Sequence, residues 1–249
     1  MRFFRGRVVR ASRRIFSRFG RRVTRIVHIS YTFISGSRYF LPDHFDNALE
    51  TINDLKPDVV VHTGGVVAEG TTEDYGLAAE KLAQIDAPLL VTPSGRDMNY
   101  LGYELFERHF HSVDPSLSKN SVFYQGISSF QYDSTVGVIG ATGRAELWER
   151  LHEAEEPISV VFLHHNVIPV PRSRNRGLLE DAGDFLRELV DERVTLLLTG
   201  TSSHPHAGKI GKTIVSNANS LSGLQQRSVW GNSFNVIDVY EEVISITEV

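Results

Sequence analysis

The sequence contains no cysteine, and it has no long uninterrupted apolar segment. Without thiols the chain can form neither disulfide bonds nor metal sites with thiolate ligands, which agrees with a cytoplasmic protein. No apolar run approaches the roughly 18–20 residues of a membrane-spanning helix, so we expect no such helix. The 249 residues, of which 41% are hydrophobic, are enough for one large folded domain with a substantial core.

Acidic residues and lysine are absent from the first 25 residues, where arginine alone supplies the charge. The ten arginines are Arg2, Arg5, Arg7, Arg10, Arg13, Arg14, Arg18, Arg21, Arg22 and Arg25. Subtracting these ten from the 26 basic residues of the chain leaves 16 against 30 acidic residues, so the rest of the chain carries a formal charge of −14. We therefore predict an arginine-rich extension, residues 1–23, joined to an acidic domain, residues 24–249.

The arginine-rich extension also has a helical period. At about 100° per residue, an apolar stripe lies opposite a stripe of arginines. This pattern predicts a basic amphipathic helix over about residues 7–19, which Gly20 ends. The residues expected to contact a partner or a membrane are Arg7, Arg10, Arg13, Arg14, Ile15, Phe16, Arg18 and Phe19.

The sequence leaves several functions open for this helix. It could hold the protein on anionic lipid, dock in the groove of a protein partner, or contact the phosphates of nucleic acid. It could also be a mitochondrial transit peptide, or lie on the acidic domain of its own chain. An apolar stripe needs burial that phosphate contacts do not supply. We therefore favour a protein partner in a larger assembly or an anionic membrane surface over nucleic acid, in a cytoplasmic protein at the periphery of a membrane.

Four apolar segments of the sequence each end in a short loop. They are residues 25–33, 57–65, 91–97, and 160–165 together with 196–206. Open α/β sheets place their sites in such loops, at the carboxyl ends of strands. Together the loops resemble those of the calcineurin-like metallophosphoesterases, which usually read S-D-x-H, G-D, G-N-H-D, H-H and G-H-x-H. The resemblance covers about residues 24–247 and implies an α/β fold, a four-layer α-β-β-α sandwich of two mixed sheets.

Most metal-ligand positions of that family carry other residue types in this sequence. Members of the family bind two metal ions that activate a water molecule and hold phosphate oxygens. The resemblance implies that Tyr31 and Phe33 replace the first aspartate and histidine, and that Gly65 replaces the bridging aspartate. The positions of this degenerate site are Tyr31, Phe33, Gly65, Gly95, Arg96, His164, Thr201 and Ser203. By this correspondence His164 alone is kept among the metal ligands.

A single imidazole cannot hold two metal ions, because zinc sites need about three or four protein ligands. We therefore predict a pseudoenzyme without a cofactor that acts as a binding or scaffold protein or as an accessory subunit of a complex. The alternative hypothesis is an active phosphoesterase, a phosphodiesterase or phosphatase, with a rebuilt or mononuclear metal site. In that case His204 and His206 would join His164 and His165 as ligands.

Two interpretations of the altered pocket remain open. An arginine among hydroxyls and imidazoles could bind an anion. The anion-binding set would be Arg96, His164, His165, Thr201 and Ser203. Alternatively Tyr31 and Phe33 fill the cleft with aromatic bulk and collapse the site, which is the interpretation we favour. His28 and His62 lie within apolar strands and are interpreted as buried, hydrogen-bonded core histidines.

Apolar periodicity predicts an alternation of helices and strands, with a hairpin-rich middle and end. The predicted helices are residues 43–55, 73–85, 101–110, 145–152 and 178–191. The predicted strands are residues 25–29, 58–63, 88–92, 121–125, 128–132, 136–140, 159–163, 195–199, 212–216, 233–239 and 243–247.

Overall fold

The computed structural model describes residues 20–132, 134–171, 177–192, 194–202, 204–224 and 231–249. The predicted amphipathic helix and its contact residues lie outside this part of the chain, and so does Ser203, so the statements about them stay predictions. The first strand begins at Arg22, within the last residues of the predicted extension. None of the helices in the described ranges is long and apolar enough to cross a membrane.

Five helices and eleven strands make up the described part of the chain. The helices are α1 (Pro42–Leu55), α2 (Thr72–Leu82), α3 (Gly102–Phe110), α4 (Gly140–Glu153) and α5 (Ala182–Asp191). The strands are β1 (Arg22–Ile29), β2 (Val59–His62), β3 (Leu89–Val91), β4 (Ser116–Lys119), β5 (Val122–Gly126), β6 (Ile158–Phe162), β7 (Leu196–Thr199), β8 (His206–Ile210), β9 (Thr213–Asn217), β10 (Asn235–Tyr240) and β11 (Ile244–Glu248).

The strands form two mixed sheets. One sheet has the order β11-β10-β1-β2-β3, and the other has the order β4-β5-β6-β7-β9-β8. Neighbours within β1-β2-β3 and within β5-β6-β7-β9 are parallel, whereas β10, β11, β4 and β8 pair antiparallel. The predicted fold class is therefore confirmed.

Three apolar cores separate the layers of this sandwich. Ile26 of β1 belongs to the core between the two sheets, where it is grouped with Phe162 and Leu198. Its neighbours Val27 and Ile29 belong to the core that the first sheet forms with α1, α2 and α3. A third core lies between the second sheet and α4 and α5. Because both faces of β1 are covered, its inner part is a continuous apolar run rather than an alternating one.

Two strand predictions in the middle of the chain are wrong. Residues 128–132 and 136–140 form no strands in the described residues, and α4 already begins at Gly140. The carboxylate of Asp181 accepts the backbone N–H groups of Ile139 and Gly140, at 3.2 and 2.9 Å. This contact satisfies amides at the start of α4, which local periodicity could not reveal because Asp181 lies about forty residues away.

Further corrections concern the edges of the second sheet and the start of α5. The sequence analysis missed β4 and β8, whose polar stretches SLSK and HAGKI alternate between partly buried and exposed positions. An edge strand needs few apolar residues, so its pattern is weak. Helix α5 begins at Ala182 rather than at residue 178, because Leu178 and Leu179 make β-bridges with Asn166 and Gly137.

Candidate functional site

The parallel strands of both sheets bring the predicted loops to one edge of the sandwich. Tyr31 follows β1, Gly65 follows β2, His164 follows β6 and Thr201 follows β7. The contacts described below join these four residues into one cluster. The four loops therefore lie together because the ends of the parallel strands are fixed by the sheets.

Tyr31 lies at the centre of this cluster. Its hydroxyl group donates a hydrogen bond to the carbonyl oxygen of Thr201, at 3.1 Å, and lies 3.4 Å from Nε2 of His164. The rings of Tyr31 and His164 meet edge to face, with 5.4 Å between their centroids. Burial raises the pKa of the Tyr31 hydroxyl well above its usual range, so this group stays protonated.

His164 is fixed as a neutral imidazole. Its Nδ1 lies 2.6 Å from the carbonyl oxygen of Thr63, so Nδ1 carries the proton and donates it. Burial lowers the pKa of His164 to about 4, against the opposing effect of this hydrogen bond. The remaining lone pair, on Nε2, faces the Tyr31 hydroxyl. The imidazole nitrogen that the resemblance assigns to a metal ion is therefore covered by a side chain of the protein.

Gly65 has no room for a side chain while Tyr31 is in place. A Cβ atom on residue 65 would lie closer than 3.0 Å to two carbons of the Tyr31 ring. Gly65 also has a left-handed backbone, with φ of +72°, which a residue with a side chain rarely adopts. The Tyr31 ring thus occupies the space into which a carboxylate at residue 65 would project.

Two more bulky residues of the cluster also face glycines. A Cβ atom on Gly223 would overlap the ring of Phe33, and one on Gly177 would overlap the side chain of Thr201. Each glycine leaves room for the side chain of a residue at a position that the resemblance assigns to a metal ligand. The site is therefore filled by side chains packed against bare backbone.

Arg96 is separated from the histidines by aromatic rings. Its exposed guanidinium lies 5.2 Å from the centroid of the Phe33 ring and donates to the carbonyl oxygen of Ala68, at 3.0 Å. The Phe33 ring is 5.0 Å from that of Tyr31, which in turn contacts His164. The guanidinium of Arg96, the two aromatic rings and the imidazole of His164 therefore lie in a row. Among the described residues, no direct contact joins Arg96 to His164.

His165 and Thr201 are engaged in contacts within the fold. Nδ1 of His165 lies 2.8 Å from the hydroxyl of Ser129, and the Thr201 hydroxyl donates to the carbonyl oxygen of His164, at 2.6 Å. Burial lowers the pKa of His165 to about 3. Of the predicted anion-binding set, the structure therefore groups His164, His165 and Thr201 and leaves Arg96 outside.

Asp97, the acidic residue kept in the third loop, has a structural role. It is fully buried, and its carboxylate accepts backbone N–H groups from Gly65, Val67 and Ser94 and the hydroxyl of Ser94, at 2.7–3.0 Å. Burial raises the pKa of this carboxyl group, while the four hydrogen bonds oppose that effect. Asp97 ties the loop after β2 to the loop after β3.

The donor set of this site does not fit a pair of metal ions. Within the described residues, no three histidine, aspartate or glutamate side chains are grouped so that they could hold a metal ion. His206 begins the edge strand β8, opposite Asn217, whose amide group donates to the carbonyl oxygen of His204. Phe33 and Gly65 offer no side-chain ligand atom at all. What is left is one imidazole nitrogen that already faces a tyrosine hydroxyl.

His28 and His62 are buried core histidines, as predicted. Nε2 of His28 lies 3.0 Å from the hydroxyl of Thr63, and Nε2 of His62 lies 3.0 Å from the hydroxyl of Thr32. Both are fully buried, and desolvation lowers the pKa of each to about 3. Together with His164 and His165 they form a layer of neutral imidazoles below the loops.

Sequence comparison finds one curated relative and no matching family model. The relative, "Probable glycerophosphodiester phosphodiesterase GpdQ" of Arcobacter nitrofigilis, is 25% identical over 132 residues. These residues are 50% of this chain and 48% of the relative, so the match spans about half the length of each protein.

Solved structures share the fold over nearly the whole chain. A dimetal phosphatase from Danio rerio has a TM-score of 0.70 at 9% identity and covers 92% of this chain and 96% of its own. GAP50, the anchor in the inner membrane complex of Plasmodium, has a TM-score of 0.64 at 14% identity, with coverages of 91% and 84%. The chain therefore shares the metallophosphoesterase-like fold of these structures, and about half of it is similar in sequence to the curated relative. A shared fold describes the architecture of the chain, so its function has to be argued from its own residues.

The packing of Gly65 against Tyr31 predicts the effect of a methyl group at residue 65. Gly65→Ala should lower the free energy of unfolding by about 2–4 kcal/mol, because the methyl group meets the Tyr31 ring and the backbone stays left-handed. Gly211→Ala is the matched control, since Gly211 also has a positive φ, of +56°, but its nearest neighbouring atom lies 3.8 Å from the Cβ position. The control should lose only about 1 kcal/mol in urea unfolding experiments.

The same clash should disappear when the ring is removed. In a Tyr31→Ala background, Gly65→Ala should cost clearly less than in the unchanged chain, because the two ring contacts are removed and only the approach of 3.2 Å to the Cα atom of residue 31 remains. An equal cost of Gly65→Ala in both backgrounds would contradict the packing described here.

The four buried histidines predict loss of stability in mild acid. Each has a pKa near 3–4 in the folded chain against 6.5 in the unfolded chain, so only the unfolded chain takes up protons between these values. Their contribution to stability is complete above about pH 6.5 and falls by about 1.4 kcal/mol per histidine and pH unit below it. Urea unfolding at pH 7.5, 6.5 and 5.5 measures this slope.

A variant isolates the source of that slope. Replacing His28 with glutamine keeps a polar side chain but removes the titration, so stability should depend less steeply on pH below 6.5. An unchanged slope in His28→Gln would show that other groups cause the acid sensitivity.

Proposed function

We propose that this chain is a non-catalytic metallophosphoesterase-like protein that serves as a binding or scaffold subunit. The single observation that carries the proposal is the Tyr31 ring, which fills the space that a bridging carboxylate at residue 65 would need. Hydrolysis in this superfamily depends on metal ions that activate water and hold the phosphate. The side chains of Tyr31, Phe33 and Thr201 fill the site, and this filling supports a role in binding other molecules rather than in catalysis.

The protonation of the site supports the same proposal. His164 is neutral, and its free nitrogen faces Tyr31, whose hydroxyl stays protonated. Arg96 stands where the resemblance places the histidine of the third loop, and a guanidinium does not give up a proton at neutral pH. Among the residues that the structure describes, the site therefore offers neither a general acid nor a deprotonated nucleophile in a position to reach a substrate.

The use of this fold in a larger assembly supports the proposal by analogy. Among proteins with a similar fold are a dimetal phosphatase and GAP50, the anchor in the inner membrane complex of Plasmodium. A common fold can serve unrelated functions, so each function has to be argued from the residues of its own site.

The arginine-rich extension is the part of the chain that we propose for recruitment. Its positive charge and apolar stripe fit an anionic membrane surface or a protein partner. The domain that it joins carries a net negative charge. That domain would be repelled by anionic lipid, so attachment through the extension keeps the domain off the surface.

The proposal predicts that the protein carries little or no catalytic metal. Full-length protein purified without chelator should contain well under one equivalent of zinc, manganese or iron, because the site lacks ligands. It should also fail to hydrolyse bis(p-nitrophenyl) phosphate when manganese is added. His164→Ala is the matched control and should leave both results unchanged.

The alternative, an active phosphoesterase with a rebuilt metal site, would give a different pattern. About one or two bound ions per chain, with hydrolysis that His164→Ala abolishes, would overturn the non-catalytic proposal.

The two faces of the predicted helix should make separate contributions to recruitment. Replacing Ile15, Phe16 and Phe19 with serine should abolish stable binding to liposomes with anionic lipid, and leave weak binding that fades at high salt. Liposome flotation and filter binding to RNA, for both the serine variant and the unchanged protein, measure this difference.

Replacing Arg10, Arg13, Arg14 and Arg18 with glutamine is the companion variant. Binding dominated by phosphate contacts would be lost in this variant, with a steep salt dependence, and kept in the serine variant. RNA binding by the serine variant, together with no liposome binding by the unchanged protein, would contradict membrane recruitment.

A further inference from the structure

An exposed aromatic surface lies beside the candidate site. It consists of Tyr100, Leu101, Tyr103, Phe130, Tyr132 and Val136. Tyr100 is 90% exposed, and Leu101 and Tyr132 are each 62% exposed. Four of the seven large apolar side chains that are exposed in the described residues belong to this surface. Such a concentration marks an interaction site, because single exposed apolar residues are usually scattered.

Ring contacts join three residues of this surface, Tyr103, Phe130 and Tyr132. The ring of Tyr132 lies 6.3 Å from that of Tyr103 and 5.5 Å from that of Phe130. Tyr100 and Leu101 lead directly into α3, one turn before Tyr103. Tyr100 has a left-handed backbone, with φ of 54°, which is uncommon for a residue of its size. The fold therefore presents this tyrosine to solvent at some conformational cost.

Carboxylates line the aromatic surface along α3. Glu104 and Glu107 are exposed on this helix, and Glu107 accepts the hydroxyl of Tyr103, a contact that raises the pKa of this tyrosine. Arg108 is also exposed on α3, whereas Arg96 already contacts the Phe33 ring and the carbonyl oxygen of Ala68. Tyrosine faces flanked by carboxylates suit a ligand that combines apolar side chains with arginines.

We infer that the aromatic surface binds the arginine-rich extension of a second copy of this chain. The inference rests on the proposed use of the extension as a docking helix, and it names the partner. Ile15, Phe16 and Phe19 supply apolar anchors, and the arginines of the extension supply cations for the tyrosine faces and for Glu104 and Glu107. Arginine stacked on an aromatic ring already occurs beside this surface, between Arg96 and Phe33.

Chain length excludes the extension of the same molecule as the occupant. Gly20 lies beside Glu241 at the amino end of β1, whereas the aromatic surface lies at the carboxyl ends of the strands. The eight residues of β1 span roughly 26 Å. Ile15 is five residues from Gly20 and reaches at most about 18 Å, even in a fully extended chain. The apolar anchors therefore cannot cross the domain to reach their own aromatic surface.

This geometry implies head-to-tail association. The extension leaves one pole of the domain and binds the opposite pole of the next copy, so the two surfaces of the contact differ. Heterologous contacts of this kind form rings or open chains rather than closed symmetric dimers.

Complementation between two variants of the full-length chain tests the inference. The surface variant carries Tyr100→Asn and Leu101→Ser, with asparagine chosen because it tolerates a positive φ. The segment variant carries Ile15→Ser, Phe16→Ser and Phe19→Ser. Sedimentation velocity should show concentration-dependent association of the unchanged chain, and self-association of either variant should be weaker by at least about tenfold. An equimolar mixture of the two variants should give a dimer, because one intact contact remains.

A control variant and the liposome assay make the outcomes decisive. Val190→Ser with Val243→Ser changes two exposed apolar residues outside the aromatic surface and should associate like the unchanged chain. Equal thermal unfolding midpoints show that the surface variant is folded. A monomeric unchanged chain, or a surface variant that associates normally, would overturn the inference. If the unchanged chain is monomeric but still floats with anionic liposomes, the proposed recruitment through the extension stands. Only the identification of a second copy as the partner would then be wrong.

Discussion

The buried carboxylate of Asp97 is the interaction on which the site depends. It joins the loops after β2 and β3 through hydrogen bonds with Gly65, Val67 and Ser94. A buried carboxylate without these donors would be costly, so the loops are held where they can supply them. The bond to Gly65 fixes the backbone that Tyr31 packs against. The shape of the cluster therefore depends on a buried carboxylate whose hydrogen bonds hold the two loops together.

In this cluster, each of three larger side chains packs against a glycine. Tyr31 lies against Gly65, Phe33 lies against Gly223 and Thr201 lies against Gly177. Close packing of this kind is typical of protein interiors, where a single added methylene group is felt. A cleft that had merely lost its ligands would retain polar space for water. Here side chains occupy that space, and this packing is the observation on which the non-catalytic proposal rests.

The two ends of the domain carry different residue types, so they are not equivalent as binding surfaces. At the amino end of β1, Arg25 pairs with the carboxylate of Asp238 at 2.7 and 2.9 Å, and the chain beyond it is rich in arginine. At the opposite end, tyrosines such as Tyr100 lie in solvent beside the filled site. Parallel strands supply two unlike ends because all their carboxyl ends meet at one edge.

The sequence by itself determined the apolar inner strands such as β1, β2, β6 and β7, the two mixed sheets implied by the resemblance, and the loops that carry Tyr31, Gly65 and His164. Continuous apolar runs such as that of β2 specify strands covered on both faces, and this information is local. The tertiary structure alone decided that Gly223 admits the Phe33 ring and that the segment after β5 is a loop instead of a hairpin. Such contacts join residues far apart in the chain, so no periodicity of neighbouring residues records them.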